Sequence, residues 1–267
     1  MRYTVTMAER KQFYLIANWK LHPARLAEAK MLAGVAKKRA NRCARVLTVI
    51  CPPAIFLTEL ATRYSSHRLS FGAQDCFFEE RGAFTGEIAA QMIKDVQGHY
   101  VILGHSERRA LGETDETVAK KLRAALAAGL TVVLCIGERE RDEEGHYLAF
   151  LEGQLGTALR GLSRQKLGKL IVAYEPIWAI GKGIESAMSA HDVHETGLFI
   201  RKILRERYGE KTAFATPILY GGSVAPENAA TLVREGEVQG LLVGHKSLDP
   251  KGFGEIMVEL DTLGTGR

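Results

Sequence analysis

Short apolar runs alternate with longer amphipathic stretches along nearly the whole chain, and the alternation recurs eight times. The runs fall at residues 14–17, 46–50, 69–73, 100–103, 131–136, 170–174, 217–220 and 240–243. Each has the length and near-continuous apolar character of a strand buried on both faces. Between them, stretches such as 24–42, 114–128, 147–162, 190–207 and 226–234 read as helices. Doubly covered parallel strands separated by helices predict an α/β fold. Eight such units in about 250 residues predict a closed (β/α)8 barrel, eight parallel strands with outer helices. An open doubly wound sheet is the alternative, but it calls for a glycine-rich turn after the first strand, where Asn18-Trp19-Lys20 stands instead. No composition break divides the chain, so one barrel domain over 13–267 is expected behind an N-terminal extension of 1–12.

The sixth run carries a distinctive ending. It delivers one carboxylate, Glu175, and Pro176 then forces the chain out of the sheet because it has no amide donor and a fixed φ. Ile177-Trp178-Ala179-Ile180 follow, closing on Gly181 and Gly183. Loops normally face water and are polar, so an apolar loop suggests a flap that folds over a site and shuts water out. Taken alone, the stretch fits equally well a strand-end glutamate beside a loop tucked into the core.

Composition narrows the classes. Of 267 residues, 46% are hydrophobic, enough for a real core. Four cysteines form no CxxC pair and have no metal-ligand spacing with histidine, so they read as reduced thiols and no metal site is expected. The first twelve residues have no apolar core of the kind a signal peptide or anchor needs, and a cytoplasmic setting with no membrane partner is the expectation. A formal charge of +5 is spread among acids instead of gathered in one basic run, which argues against nucleic acid and for encounter with a small anion such as a phosphate ester.

In a barrel of this kind, chemistry belongs at the carboxyl ends of the strands. Polar residues and glycines concentrate there: Asn18 and Lys20 after the first strand, Gly104-His105-Ser106-Glu107 after the fourth, Cys135-Ile136-Gly137-Glu138 at the fifth, Glu175 after the sixth, Gly221-Gly222-Ser223 after the seventh and Gly244-His245-Lys246 after the eighth. Asn18 and Lys20, two apart in an extended segment, are expected to face one pocket. Individually, His105 could be a satisfied core histidine, Lys20 a solvated charge and the glycines turn punctuation; coincidence at six strand ends argues otherwise.

These motifs together resemble the triosephosphate isomerase family, from about residue 13 to 253. The matching runs include Ala17-Asn18-Trp19-Lys20, Gly72-Ala73-Gln74, Gly82-Ala83-Phe84-Thr85-Gly86-Glu87, Gly104-His105-Ser106-Glu107-Arg108-Arg109, Leu134-Cys135-Ile136-Gly137-Glu138, Tyr174-Glu175-Pro176-Ile177-Trp178 and Tyr220-Gly221-Gly222-Ser223. The resemblance implies a TIM barrel that isomerises a small phosphorylated aldose and ketose with no metal or cofactor. It implies Glu175 as the base, His105 as the electrophile at the carbonyl, and Lys20 with Asn18 beside it as positive charge for the enediolate. Glu107 is implied as the carboxylate near histidine and lysine. The phosphate is implied to sit on Gly181, Ser223, Gly244 and His245, with Gly221 and Gly222 allowing close approach. A homodimer through the loop around Thr85 is also implied.

Departures gather at the phosphate end. His245 and Lys246 stand where the family usually has a second glycine and a small residue, Lys182 replaces the usual threonine of the flap, and about two extra residues fall in 184–189. Two isomerase substrates therefore stay open from the residues: a triose phosphate, or a four-carbon ketose phosphate such as an erythrulose phosphate. A non-catalytic phosphate-binding barrel is the reading from another class.

Overall fold

In a computed structural model of the protein, residues 12–142, 144–181 and 187–263 are described. Eight strands close into a parallel barrel in chain order: β1 Phe13–Asn18, β2 Val46–Cys51, β3 Leu69–Ala73, β4 Tyr100–Leu103, β5 Thr131–Ile136, β6 Leu170–Tyr174, β7 Ile218–Tyr220 and β8 Gly240–Val243. All neighbouring pairs are parallel, and β8 returns to β1 with Tyr14 opposite Gly240. That joint depends on glycine. Gly240 has φ 152°, and a Cβ there would stand 1.9 Å from the Tyr14 carbonyl oxygen.

The helices are α1 Leu26–Ala40, α2 Ala54–Tyr64, α3 Ala90–Asp95, α4 Ser106–Ala110, α5 Asp115–Ala127, α6 His146–Ala158, α7 Ala190–Tyr208, α8 Glu210–Ala215, α9 Pro226–Arg234 and α10 Pro250–Thr262. Local chemistry sets several starts: Thr114 accepts the Thr117 amide at α5, and Ser189 accepts the Asp192 amide at α7. Asp115 and Glu116 add negative charge to the first turn of α5.

The strand runs are apolar throughout because they face two cores. Ile16, Val49, Ile102, Val133, Ile171, Leu219 and Leu242 pack together on one side of the sheet. Alternate residues such as Leu15, Ile50, Phe71, Leu134 and Val172 belong to the larger core shared with the helices. The four cysteines are free and buried. Among the described residues, no helix is long and apolar enough to cross a membrane.

Candidate active site

β1 ends on buried Asn18, and the chain turns at once: Lys20 has φ 52°. Its amide donates to Asn18 Oδ1 at 3.1 Å. The expected extended geometry, with the two side chains related by strand alternation, is therefore corrected. Both residues do reach one cavity, but through a left-handed turn stabilised by the asparagine side chain. The Lys20 ammonium then pairs with Glu107 Oε1 at 2.8 Å.

Glu107 lies in α4, whose N-cap is His105. The Glu107 amide donates to His105 Nδ1 at 3.1 Å, so the lone pair of Nδ1 is committed to the backbone. The proton of the neutral ring accordingly sits on Nε2. Nε2 faces Glu175 Oε1 at 3.3 Å. Behind the histidine, Arg109 braces the turn by donating to the Gly104 carbonyl at 2.7 Å and pairing with Asp115 at 2.5 Å.

Glu175 follows β6, and its amide donates to the Ile136 carbonyl at 2.8 Å, which continues the β5 to β6 ladder by one residue. Only 3% of it is exposed, against 5% for His105. The Cys135 thiol is buried beside it. Burial first, and the Glu175 carboxylate second, push that thiol well above its ordinary range, keeping it protonated.

The described part of the flap is tied down. Trp178 Nε1 donates to Glu138 Oε1 at 2.9 Å, and Tyr174 hydroxyl donates to the same oxygen at 2.8 Å. The Ile177 amide donates to the Glu138 carbonyl at 2.9 Å, and Ser223 Oγ donates to the Ala179 carbonyl at 2.8 Å. On the far side of the flap, the Met188 amide donates to the Tyr220 hydroxyl at 3.3 Å. Lys182 and Gly183, placed in the flap by the sequence, lie outside the described residues.

One cavity of about 350 Å³ gathers these parts. Its walls include Asn18, Lys20, His105 and Glu175, and also Gly181, Gly221, Gly222, Ser223, Gly244 and His245. Of the residues expected at the site, only Glu107 is not in the wall; it stands behind Lys20 with its carboxylate exposed. Gly221 and Gly222 make room for protein neighbours. A Cβ on Gly221 would stand 2.8 Å from Glu175 Cγ, and one on Gly222 would stand 2.2 Å from the Tyr220 hydroxyl. Directly beyond β8 the chain forms a 3-10 turn, His245–Leu248. Glu138 and Gln74 sat inside recognisable motifs, but their tasks depend on partners from other strands. Gln74 donates to the Lys20 and Cys51 carbonyls.

The arrangement sets the buried Glu175 side chain, the His105 ring nitrogen Nε2 and the Lys20 amine around a space the size of a small molecule. That combination can move a proton next to a carbonyl. Among the described residues, one group has metal-ligand spacing, Asp142, Glu144 and His146, and none of the three lines the cavity.

A closed (β/α)8 barrel thus gathers this constellation in one cavity at the carboxyl ends of its strands. Residues 13–260 match the family model described as "Triosephosphate isomerase". The chain is 43% identical over 245 residues to the triosephosphate isomerase of Moorella thermoacetica, covering 91% of this chain and 96% of that protein. It is 40% identical over 245 residues to the triosephosphate isomerase of Dehalococcoides mccartyi, covering 91% and 95%. The chain belongs to the triosephosphate isomerase family.

Proposed function

We propose that the protein interconverts dihydroxyacetone phosphate and D-glyceraldehyde 3-phosphate through an enediolate. Glu175 takes the proton from the carbon beside the carbonyl and returns it to the neighbouring carbon. His105 Nε2–H donates to the oxygen on which charge develops, and the Lys20 ammonium, with Asn18 beside it, offsets that charge. Backbone amides at Gly181, Ser223, Gly244 and His245 hold the phosphate. A positioned base contributes roughly 10²- to 10⁴-fold, so much of the acceleration has to come from preorganised donors and from the water-excluding flap. The observation that carries the reading is the 3.3 Å approach of Glu175 to His105 Nε2 within the cavity that Lys20 also lines.

The test is a parallel assay of purified protein on both triose phosphates and on an erythrulose phosphate, repeated with Glu175→Gln. Conversion of the triose phosphates with the higher kcat/KM, and a drop of about 10²- to 10⁴-fold in the variant, is expected. A much higher kcat/KM on the tetrulose phosphate, or an unaffected variant, would refute the proposal.

A homodimer fits the distribution of exposed apolar side chains. Leu21 (90% exposed), Ile55 (84%), Phe84 (43%) and Leu111 (80%) follow the carboxyl ends of β1, β2, β3 and β4 in turn, on neighbouring strands of one side of the barrel. Phe84 precedes Thr85 and packs on Phe77, ring centroids 4.7 Å apart, so the loop has an aromatic core of its own. Sedimentation giving a monomer at micromolar concentration would contradict this. Four reduced, buried thiols support a cytoplasmic setting.

A further inference from the structure

Lys20, at φ 52°, holds a left-handed backbone conformation that a side-chain-bearing residue adopts only when its neighbours hold it there. The Asn18 side chain fixes the amide before it. The carbonyl after it is held by Gln74, whose Nε2 donates to Lys20 O at 2.8 Å and to Cys51 O at 2.9 Å. Both hydrogens of that amide are thereby used, and one side chain just beyond β3 joins the turn after β1 to the end of β2. Gln74 is itself anchored. The next residue, Asp75, accepts two hydrogen bonds from buried Lys121 of α5 and pairs with Arg108 of α4 at 3.1 Å.

We propose that Gln74 is a positioning residue that sets where the Lys20 ammonium stands in the cavity. The proposal rests on the role given to Lys20 above. Without the two donors, the Lys20 peptide is free to relax toward negative φ. That rotation swings the side chain away from Glu107 and from the site where negative charge develops. Glutamine suits the place because no other side chain of that length offers two hydrogens on one terminal nitrogen without a charge.

The experiment is Gln74→Met, which keeps length and apolar packing but has no donor, measured in the wild-type and Lys20→Ala backgrounds. The expected loss of kcat/KM for triose phosphate is about 100-fold in the wild-type background, as for a misplacement of about 1 Å. In the Lys20→Ala background the loss should shrink to within about threefold, since the two changes act on one group. A loss of equal size in both backgrounds, or wild-type activity in Gln74→Met, would overturn the proposal. The crystal structure of Gln74→Met gives a readout independent of activity: Lys20 should leave its positive φ and its contact with Glu107, and an unmoved Lys20 would count against the idea. If the wild-type protein fails to isomerise triose phosphate, the proposed function falls, and this crystallographic comparison decides the positioning role alone. Should thermal unfolding show that Gln74→Met does not fold, Gln74→Ala is judged by the same criteria.

Discussion

Gly221→Ala would test whether the position of Glu175 is set by contact. The added methyl would stand 2.8 Å from Glu175 Cγ, and 3.5 Å from both its Oε1 and the Tyr174 carbonyl oxygen. Non-bonded carbons settle at about 3.5–4.0 Å, so the glutamate side chain must retreat by about 1 Å. It has little room, being buried with its carboxylate 3.3 Å from His105 Nε2. A displacement of that size at a reacting group costs about 10²-fold, or about 2.8 kcal/mol of transition-state stabilisation. Overpacking adds about 1–3 kcal/mol of instability. Gly221 does not adopt a positive φ, so the substitution reports crowding and not backbone strain. Steady-state kinetics paired with thermal unfolding should find the loss mainly in kcat, because the methyl displaces Glu175, the proposed base, and leaves the amides proposed to hold the phosphate where they are. Full kcat in a folded Gly221→Ala protein, or a loss confined to KM, would refute the contact argument.

Other consequences can be measured with equal directness. Glu138→Leu removes the acceptor of both Tyr174 and Trp178; each buried donor left unpaired costs about 1–3 kcal/mol, so lower thermal stability, lower kcat and a red-shifted tryptophan emission are expected, and unchanged values would exclude this tie as the flap's anchor. Lys121→Met strands Asp75 and Glu113 without their shared cation and should cost about 3–5 kcal/mol by urea unfolding. Burial pushes the Lys121 ammonium down, but hydrogen bonds and charges from Asp75 and Glu113 hold it above its ordinary 10.5 overall. Its stabilisation is therefore complete below pH 10.5 and is lost as pH rises through the higher folded value. Unfolding titrations should show that alkaline loss in the wild type and not in Lys121→Met. The thiols should be silent: burial raises all four, Cys76 to about 12, so a thiol reagent at pH 8 should label none until the protein unfolds, and rapid native labelling of Cys135 would contradict its placement behind Glu175.

The barrel was legible because strands buried on both faces leave uninterrupted apolar runs, and the expected 131–136, 170–174 and 240–243 coincide with β5, β6 and β8. Helix ends were less so. The stretch 24–42 tightens to Leu26–Ala40, with Arg25 making no side-chain cap, and α3, α4 and α8 are too short to show a period. At the site, Lys20, His105 and Glu175 stood out as polar residues at the ends of apolar runs. The path by which Asn18 and Lys20 reach the cavity did not, because a positive φ on a lysine leaves no mark in composition. Gly221 and Gly222 were visible as glycines, yet the atoms they make room for, in Glu175 and Tyr220, belong to side chains whose directions only the folded chain fixes.

That dependence on folding reaches the barrel's opposite end. Lys20 follows β1 and Gly244 follows β8, and a Cβ on Gly244 would lie only 3.4 Å from Lys20 Cε, so the lysine side chain and the Gly244 backbone are neighbours across the β1 to β8 joint. The same joint begins where Tyr14 pairs with Gly240. A side chain at 240 would meet the Tyr14 carbonyl oxygen and force the two strands apart where the joint starts. Because strands in a closed barrel cannot separate at one end without tilting along their length, the spacing of Lys20 from Gly244 is tied to Gly240, the glycine that opens β8 four residues earlier. The spacing of these two cavity-lining residues is therefore a property of the closed sheet, and the cavity inherits it.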